Sequence, residues 1–249
     1  MEIEIRLFAT LKDRAQSDRI RVALPTDPTT VAVLLDAVGA DYPALAPALR
    51  SALVAVNRAF AGLETPVGSA DEVALFPPVS GGSPPGDELI YPTYFAVTDA
   101  PLDVEAIHAR LTGPDIGAVV SFTGFVRGRT QRDGLPPETL HLDYEAYEAM
   151  AEEKMAQIAR EIWTRWPEVR GVALVQRLGR LGVGENTTFV ACAGAHRDMG
   201  VFEAARYGID RLKEIVPVWK KEVGADRSVW IEGHYRPTPA DNLNKSDGI

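Results

Sequence analysis

Two lysines near the end of the chain are the residues best suited to acid–base or nucleophilic chemistry. Lys213 lies in IDRLKE (209–214), and Lys220 follows in PVWKKE (217–222). Helical spacing places Lys213 beside an apolar stripe, where partial desolvation would lower its pKa and make it a usable acid, base or amine nucleophile. A structural role is equally open, because a lysine near a helix C-terminus complements the helix dipole. Adjacent lysines such as Lys220 and Lys221 are also commonly a solvated patch.

Three basic side chains at predicted strand ends could bind an anion. His196 and Arg197 follow the small residues AGA and precede Asp198, a predicted helix N-cap, so they occupy a strand-to-helix turn that favours anions. Arg127 ends the apolar strand 117–128, and its planar guanidinium suits a phosphate or carbonyl group. The structural alternatives are a satisfied histidine and a surface ion pair worth little energy.

Composition limits the functional classes. The chain has 249 residues, which suggests one or two domains, and a net charge of −9, which disfavours non-specific nucleic-acid binding. The single cysteine, Cys192, excludes an internal disulfide and argues against a cysteine-rich zinc site. His108, His141 and His234 form no paired ligand pattern, so no metal site is predicted. With no signal peptide and no apolar run of roughly 18 residues, we expect a cytoplasmic protein without a membrane partner.

Residues 1–82 are patterned as a small α+β unit that ends in Gly81-Gly82. Alternation of Ile3, Ile5 and Leu7 with charged residues predicts a strand. Thr29 or Thr30 can cap a helix that Gly39 would end. Further strands are predicted at 21–24, 53–57 and 71–76. This order within about 80 residues favours a β-grasp fold, and a tail without side chains could enter a narrow tunnel.

The remainder divides into a linker, a second α+β unit and a tail. A Pro- and Gly-rich linker spans 83–93, the second unit spans 94–235, and a polar tail spans 236–249. A long helix is predicted at 145–166, stopped by Pro167, and another at 198–215. Their predicted apolar stripes are Met155, Ile158, Ile162 and Trp166 in the first, and Phe202, Ala205, Ile209, Leu212 and Val216 in the second. Strands are predicted at 169–179, 186–194 and 228–235.

The first unit resembles the small subunit of molybdopterin synthase, a ubiquitin-like sulfur carrier. The segments that carry the resemblance are IRLFATLKD (5–13), LVAVN (53–57) and DEVALFPPVSGG (71–82). The resemblance implies that the C-terminal glycine, Gly82, bears a thiocarboxylate that donates sulfur. It also implies an activating enzyme that adenylates and sulfurates this glycine.

The second unit resembles the large subunit of the same enzyme, an α/β-hammerhead-type domain. Five motifs occur in the family's order over about 100 residues. They are SFTGFVR (121–127), RLGRLGVGE (177–185), AGAHR (193–197), IDRLKE and PVWKKE. Each motif alone is a weak signal, and their shared order makes the resemblance specific.

The resemblance to the two subunits implies sulfur insertion without a metal or redox cofactor. The substrate is cyclic pyranopterin monophosphate, which receives two sulfurs to form the dithiolene of molybdopterin. Lys213 is expected in the central catalytic role, with Lys220 assisting transfer and Gly82 carrying the sulfur. The expected substrate-binding residues are Phe125, Val126, Arg127, His196, Arg197, Lys213, Lys220, Lys221 and Glu222. A homodimer through the second unit is also expected.

Two departures from the family pattern bear on these expectations. Gln176 stands where the family often has histidine, which weakens any proton-transfer role there. Ser83 follows Gly82, although activation requires a free carboxylate, so cleavage after Gly82 is predicted. Two alternatives stay open: an uncleaved, inactive fusion that acts as a scaffold or binding module, and a sulfur carrier that serves another acceptor.

Overall fold

The computed structural model describes residues 1–77, 91–129 and 134–231. Gly81-Gly82, most of the predicted linker and the predicted tail therefore lie outside the described residues. Within these ranges, no helix is both long enough and apolar enough to cross a membrane.

The first module is a β-grasp domain. Its five-stranded sheet has the order β2-β1-β7-β4-β5, with β1 antiparallel to β2 and parallel to β7. The predicted alternation in β1 is confirmed, because Ile3, Ile5 and Leu7 are buried in the core beneath the helices. The elements are β1 (Glu2–Leu7), α1 (Ala9–Ala15), β2 (Arg19–Ala23), β3 (Thr29–Thr30), α2 (Val31–Asp41), α3 (Ala46–Leu49), β4 (Leu53–Val56), β5 (Ala59–Ala61), β6 (Pro66–Val67) and β7 (Val73–Phe76).

Helix α2 begins where the sequence predicted and ends later. The side chain of Thr30 accepts a hydrogen bond from the backbone N–H of Val33, so Thr30 is the N-cap. Gly39 does not end the helix, which continues to Asp41 and is capped by Tyr42. Gly39 instead provides a close approach to Leu49, whose Cδ1 would lie 3.4 Å from an added Cβ.

The second module contains two four-stranded sheets. One has the order β8-β11-β13-β9 and the other the order β12-β10-β14-β15. Helices α5 and α6 pack against the first sheet. The elements are β8 (Thr93–Thr98), α4 (Val104–Leu111), β9 (Ala118–Phe125), β10 (His141–Ala146), α5 (Glu148–Arg165), β11 (Val169–Arg177), β12 (Gly179–Gly182), β13 (Asn186–Gly194), α6 (Val201–Ile215), β14 (Val218–Val223) and β15 (Ser228–Ile231).

The boundary before this module lies slightly earlier than the predicted residue 94. Strand β8 begins at Thr93, and the carbonyl of Pro92 accepts a hydrogen bond from Val172. Tyr91 packs edge-on against Trp163, with ring centroids 5.7 Å apart. Residues 91–93 therefore belong to the second module rather than to a linker.

The stripe predicted for α5 is confirmed, whereas the stripe predicted for α6 is partly wrong. In α5, Met155, Ile158 and Ile162 are fully buried. In α6, Phe202 is 58% exposed, because the helix approaches β13 through small residues instead. Gly208 marks the closest approach, since a Cβ there would lie 2.9 Å from Val190.

The start of α6 also differs from the prediction. Gly200, not Asp198, precedes the first helical residue, and its φ of 77° lies in the left-handed region that glycine tolerates best. A Cβ on Gly200 would lie 2.3 Å from the Trp166 ring. Packing against α5 therefore delays the helix start by about one turn relative to the sequence signal.

An aromatic cluster joins the two modules. Phe8 of the first module stacks on Tyr147 and Trp219 of the second, with ring centroids 5.1 and 5.3 Å apart. Phe76, at the end of β7, packs against Trp219 at 5.5 Å. These rings form a buried core with Phe60 and Met150, so the β-grasp domain is docked on its own chain.

Polar contacts surround this cluster. The Tyr147 hydroxyl donates to Glu72 at 2.5 Å, and Arg58 pairs with Glu153 at 3.1 Å. The hydrogen bond from Tyr147 is the main cause of the lowered pKa of Glu72, while burial foremost raises the pKa of Tyr147. Lys12 adds a pair with Glu145 at 3.3 Å. Such exposed ion pairs contribute little, so the aromatic cluster dominates the docking energy.

Replacing Trp219 with alanine should weaken docking between separately produced modules, residues 1–82 and 83–249. We expect the dissociation constant to rise by about 30-fold or more, since a buried tryptophan at an interface centre is typically worth about 2 kcal/mol or more. Isothermal titration calorimetry measures this. Phe202→Ala removes an exposed aromatic side chain on α6, is the matched control and should leave the dissociation constant unchanged. Equal affinities for both variants would exclude the aromatic cluster as the docking centre.

Candidate functional site

Strand β14 separates the docking surface from a pocket. Successive side chains of a strand point to opposite faces. Trp219 and Lys221 face the β-grasp domain, where Lys221 pairs with Asp13 at 3.5 Å. Lys220 and Glu222 face the other way and line the pocket. One strand thus places the docked domain and the candidate site back to back.

The pocket has a volume of about 190 Å³ and lies where both sheets of the second module meet α6. It brings together five residues that the sequence nominated, Phe125, Arg127, Lys213, Lys220 and Glu222. The complete lining is Phe122, Gly124, Phe125, Arg127, Thr139, Leu142, Tyr144, Thr187, Thr188, Lys213, Lys220 and Glu222.

Lys213 projects into the pocket from the last turn of α6. Its ammonium donates a hydrogen bond to the Thr188 hydroxyl at 3.1 Å. The side chain keeps an accessible surface within the pocket, yet the protein around it displaces bulk water from the ammonium. This desolvation, aided by the nearby charge of Lys220, lowers the pKa of Lys213 to about 8. Near neutral pH both the charged and the neutral amine are therefore available.

The remaining charges favour an anionic ligand. Arg127 is exposed and makes no hydrogen bond or ion pair within the described ranges, so its guanidinium is available to a ligand. Glu222 is buried, and one oxygen of its carboxylate accepts a hydrogen bond from the Thr139 hydroxyl, which partly offsets the negative charge. Arg127, Lys220 and the charged form of Lys213 thus face one hydrogen-bonded carboxylate. The excess positive charge would attract phosphate or carboxylate groups.

Exposed aromatic rings flank these charges. Phe122 and Phe125, on the edge strand β9, are 42% and 58% exposed and line the pocket. Such rings offer flat apolar faces to a planar heterocycle. An anion with a flat ring system therefore matches the lining in both charge and shape.

Two residues nominated for substrate binding are directed elsewhere. Val126 is buried in a core cluster with Leu142 and Leu181, and its backbone N–H and C=O are bonded to the turn at 184–185. Lys221 faces the β-grasp domain, with its ammonium 5.5 Å from the Trp230 ring centroid. Strand alternation explains the placement of Lys221, which lies between the pocket residues Lys220 and Glu222. Val126 follows the last residue of β9, Phe125, and its backbone bonds to the turn at 184–185 set its direction instead.

His196 and Arg197 also lie away from this pocket. Thr188 lines it near the start of β13, whereas His196 and Arg197 follow the end of the same strand at Gly194. Gly194 is six residues beyond Thr188 along the strand, a distance of about 20 Å. Within one chain these two residues cannot touch a small ligand bound beside Lys213.

The motif RLGRLGVGE has a structural role in this fold. Arg177 is buried and donates to Glu185 at 3.0 Å and to the carbonyl of Asn186 at 3.2 Å. Glu185 in turn accepts from the backbone N–H of Gly182 at 2.7 Å. The backbone bond from Gly182 and the pairing with Arg177 lower the pKa of Glu185. These contacts hold the turn between β12 and β13 that presents the pocket threonines.

The sequence did not nominate Thr187, Thr188 or Tyr144. A β-bulge at residues 186–188 lets both consecutive threonines line the pocket, although strand alternation would separate them. Tyr144 is 8% exposed, and burial raises the pKa of its phenol. The run of polar residues at 186–188 before an apolar strand was the available signal for the threonines. Nothing in the pattern predicted β10, which carries Tyr144.

Comparisons with known proteins agree with this architecture. The ThiS family matches residues 5–82, and the MoaE protein family matches residues 97–215. The molybdopterin synthase catalytic subunit of Halalkalibacterium halodurans is 42% identical over 137 residues, which are 55% of this chain and 84% of that protein. The corresponding subunit of a Nostoc species is 45% identical over 138 residues, 55% of this chain and 81% of that protein. The chain belongs to the molybdopterin synthase catalytic subunit family.

The fold of this molybdopterin synthase family member is also similar to a solved structure. The crystal structure of molybdopterin synthase from Staphylococcus aureus is 40% identical, with a TM-score of 0.51. The matched region covers 55% of this chain and 96% of the Staphylococcus aureus chain. The predicted α+β class, with a β-grasp domain before the large-subunit domain, is confirmed. The chain thus combines a ThiS-family β-grasp domain and a catalytic-subunit domain.

Proposed function

We propose that this chain is a sulfurtransferase that makes molybdopterin with its own carrier domain. It transfers two sulfurs in turn to cyclic pyranopterin monophosphate and forms the dithiolene. Each sulfur comes from a separate Gly82 thiocarboxylate, which is left as a carboxylate. The observation that carries the proposal is the back-to-back arrangement on β14. The carrier docks on Trp219, and the lysine pocket lies directly behind it.

The length of the carrier tail supports this reaction. Gly82 is six residues beyond Phe76, and this segment spans at most about 20 Å when fully extended. Phe76 packs on Trp219, and the next residue of β14, Lys220, already lines the pocket. The tail is therefore long enough to bring Gly82 from the docking face to Lys213.

Each pocket cation has a distinct part in the proposed chemistry. Arg127 and Lys220 bind the phosphate and oppose the negative charge of the substrate. Lys213 stabilises the oxyanion that develops on the thiocarboxylate carbon, and its lowered pKa lets it also exchange a proton with the reacting atoms. Phe122 and Phe125 hold the flat ring system.

Reconstitution tests the proposed function. Residues 83–249 are incubated with cyclic pyranopterin monophosphate and residues 1–82 prepared as the thiocarboxylate, and the dithiolene is detected by mass spectrometry. The carrier with an ordinary carboxylate is the matched control and should give no product. Binding without conversion would favour the scaffold alternative. Sulfur transfer to a different acceptor, but not to this substrate, would favour the alternative of a sulfur carrier that serves another acceptor.

A homodimer would give His196 and Arg197 a place in the reaction. Because both follow the far end of β13, a strand that spans about 20 Å from Thr188 to Gly194, we propose that they serve the pocket of a second copy. This arrangement retains their predicted role in substrate binding. Light scattering at micromolar concentration should then show a dimer.

Mixing two inactive variants tests this exchange. Lys213→Ala chains are expected to be nearly inactive, and Arg197→Ala chains to bind the substrate weakly and turn over little at substrate concentrations well below saturation. In a mixed dimer, one pocket combines an intact Lys213 with an intact Arg197 from its neighbour, so random mixing should restore about a quarter of wild-type sites. Reconstituted turnover after co-refolding measures this. Mixing Lys213→Ala with Lys220→Ala is the control, because both residues line one pocket and no intact site can form. An unrestored first mixture would contradict the exchange.

A further inference from the structure

Gln176 and Thr188 form a directly opposed pair on β11 and β13, and neither has accessible surface. The Gln176 amide nitrogen, Nε2, donates to the backbone carbonyls of Arg177 at 2.9 Å and Thr187 at 3.0 Å. A carbonyl oxygen can only accept, so this end of the amide must be the NH₂ group. The orientation of the Gln176 side chain is therefore determined by backbone on both strands.

This orientation determines the direction of the next hydrogen bonds. Gln176 Oε1 lies 2.7 Å from the Thr188 hydroxyl oxygen. Because Oε1 only accepts, the Thr188 proton must point towards it. The Thr188 oxygen then has only lone pairs to offer on its other side, where the nitrogen of Lys213 lies at 3.1 Å. The hydrogen bonds run in one direction, from Lys213 to Thr188 to Gln176.

We propose that Thr188 and Gln176 are positioning residues for Lys213 in the reaction proposed above. Thr188 accepts one N–H of Lys213 whether the amine is charged or neutral. This hydrogen bond holds the Lys213 nitrogen at the pocket wall. It directs the remaining N–H bonds, or the lone pair of the neutral amine, into the pocket. The catalytic importance of this positioning rests on the proposed function. The hydrogen-bond geometry itself is independent of that function.

Sheet packing alone would not require this arrangement. An apolar pair at these two positions would fill the same space without a buried polar group that needs a partner. The threonine also lies on the pocket lining, beside the functional lysine. Buried polar groups with every donor and acceptor satisfied define a single geometry, which suits a group that must be held in place.

Thr188→Val is the sharpest variant, because valine keeps the shape and removes the acceptor. In the reconstituted reaction we expect kcat to fall by about 10- to 100-fold, with KM changed by less than about 3-fold. Thr188→Ser keeps a hydroxyl and should stay within about 3-fold of wild type. Thr188→Ala is a second variant without the acceptor, and thermal unfolding confirms that each variant folds.

The pH dependence separates positioning from general damage. The hydroxyl stabilises the ammonium form of Lys213 more than the amine, so its removal should lower the lysine pKa further. The pH profile of kcat should therefore move to lower pH in Thr188→Val and Thr188→Ala, and remain in place in Thr188→Ser. The other charged or titratable groups of the pocket, Arg127, Tyr144, Lys220 and Glu222, are the same in all variants.

Nuclear magnetic resonance of ¹³C-labelled lysine in the full chain gives a readout that does not depend on turnover. The Lys213 signal is assigned by its loss in Lys213→Arg, and its titration should move to lower pH in Thr188→Val but not in Thr188→Ser. Wild-type titration and wild-type kcat in Thr188→Val would overturn the inference. If wild type makes no dithiolene while the titration moves as expected, the proposed function fails and the hydrogen-bonded positioning stands.

Discussion

Lys213→Ala is expected to lower sulfur transfer by about 10²- to 10³-fold or more, because it removes the group that stabilises charge beside the reacting carbon. The fold should survive, since the side chain borders the pocket and contacts Thr188 rather than filling a core. Reconstitution with thiocarboxylated carrier measures the rate. Circular dichroism and thermal unfolding show whether the variant folds.

Lys221→Ala is the matched control for this experiment. It removes another lysine side chain, on the face of β14 that points away from the pocket, where Lys221 pairs with Asp13 of the carrier domain. Transfer at saturating carrier should stay near wild type. Lys213→Arg separates charge from proton exchange, because arginine stays protonated at every accessible pH. Near-wild-type turnover in Lys213→Ala would remove Lys213 from the mechanism.

Gly82→Pro is expected to leave the chain in one piece and abolish molybdopterin formation in the cell. Sulfur activation requires a free carboxylate on Gly82, and the chain continues with Ser83. A Pro- and Gly-rich segment follows Gly82, and this composition is typical of segments that proteases cleave. Intact mass measurement of protein from its native cell should show cleavage in wild type and none in the variant, and a thiocarboxylate on the released carrier.

Separately expressed halves, residues 1–82 and 83–249, should restore activity without any cleavage step. Ser83→Ala tests whether Ser83 attacks the preceding carbonyl, since cleavage by a cellular protease should survive this change. Rescue of molybdoenzyme activity by an uncleavable chain, in cells that lack both subunits, would refute the requirement for cleavage.

Local patterns in the sequence were sufficient for the two long helices, for most strands of the β-grasp domain and for the family, but not for β10 or β14. The alternation of Ile3, Ile5 and Leu7 and the spacing of Met155, Ile158 and Ile162 are direct consequences of strand and helix periods, and both proved correct. The motif order identified two joined modules, which the family matches confirm. These features depend on neighbours in the chain, so no knowledge of the packing was needed.

Packing decided the details that local signals got wrong. The apolar spacing in α6 predicted that Phe202 is buried, but the side chain is exposed. The helix lies against β13 through Gly208 instead, because only a small residue permits the close approach. Gly200 set the helix start through its contact with Trp166, which is distant in sequence. Such contacts depend on which elements meet, and a single sequence does not state that.

The candidate site shows the same division most clearly. The sequence by itself determined which residue types were available, among them Lys213, Lys220 and Arg127. Only the tertiary structure decided that β14 places Lys220 in the pocket and Lys221 against the carrier. It also decided that Arg197 follows the far end of β13, a strand that spans about 20 Å from Thr188 to Gly194. The physical reason is that a strand alternates its faces, and the use of each face depends on the elements that pack against it.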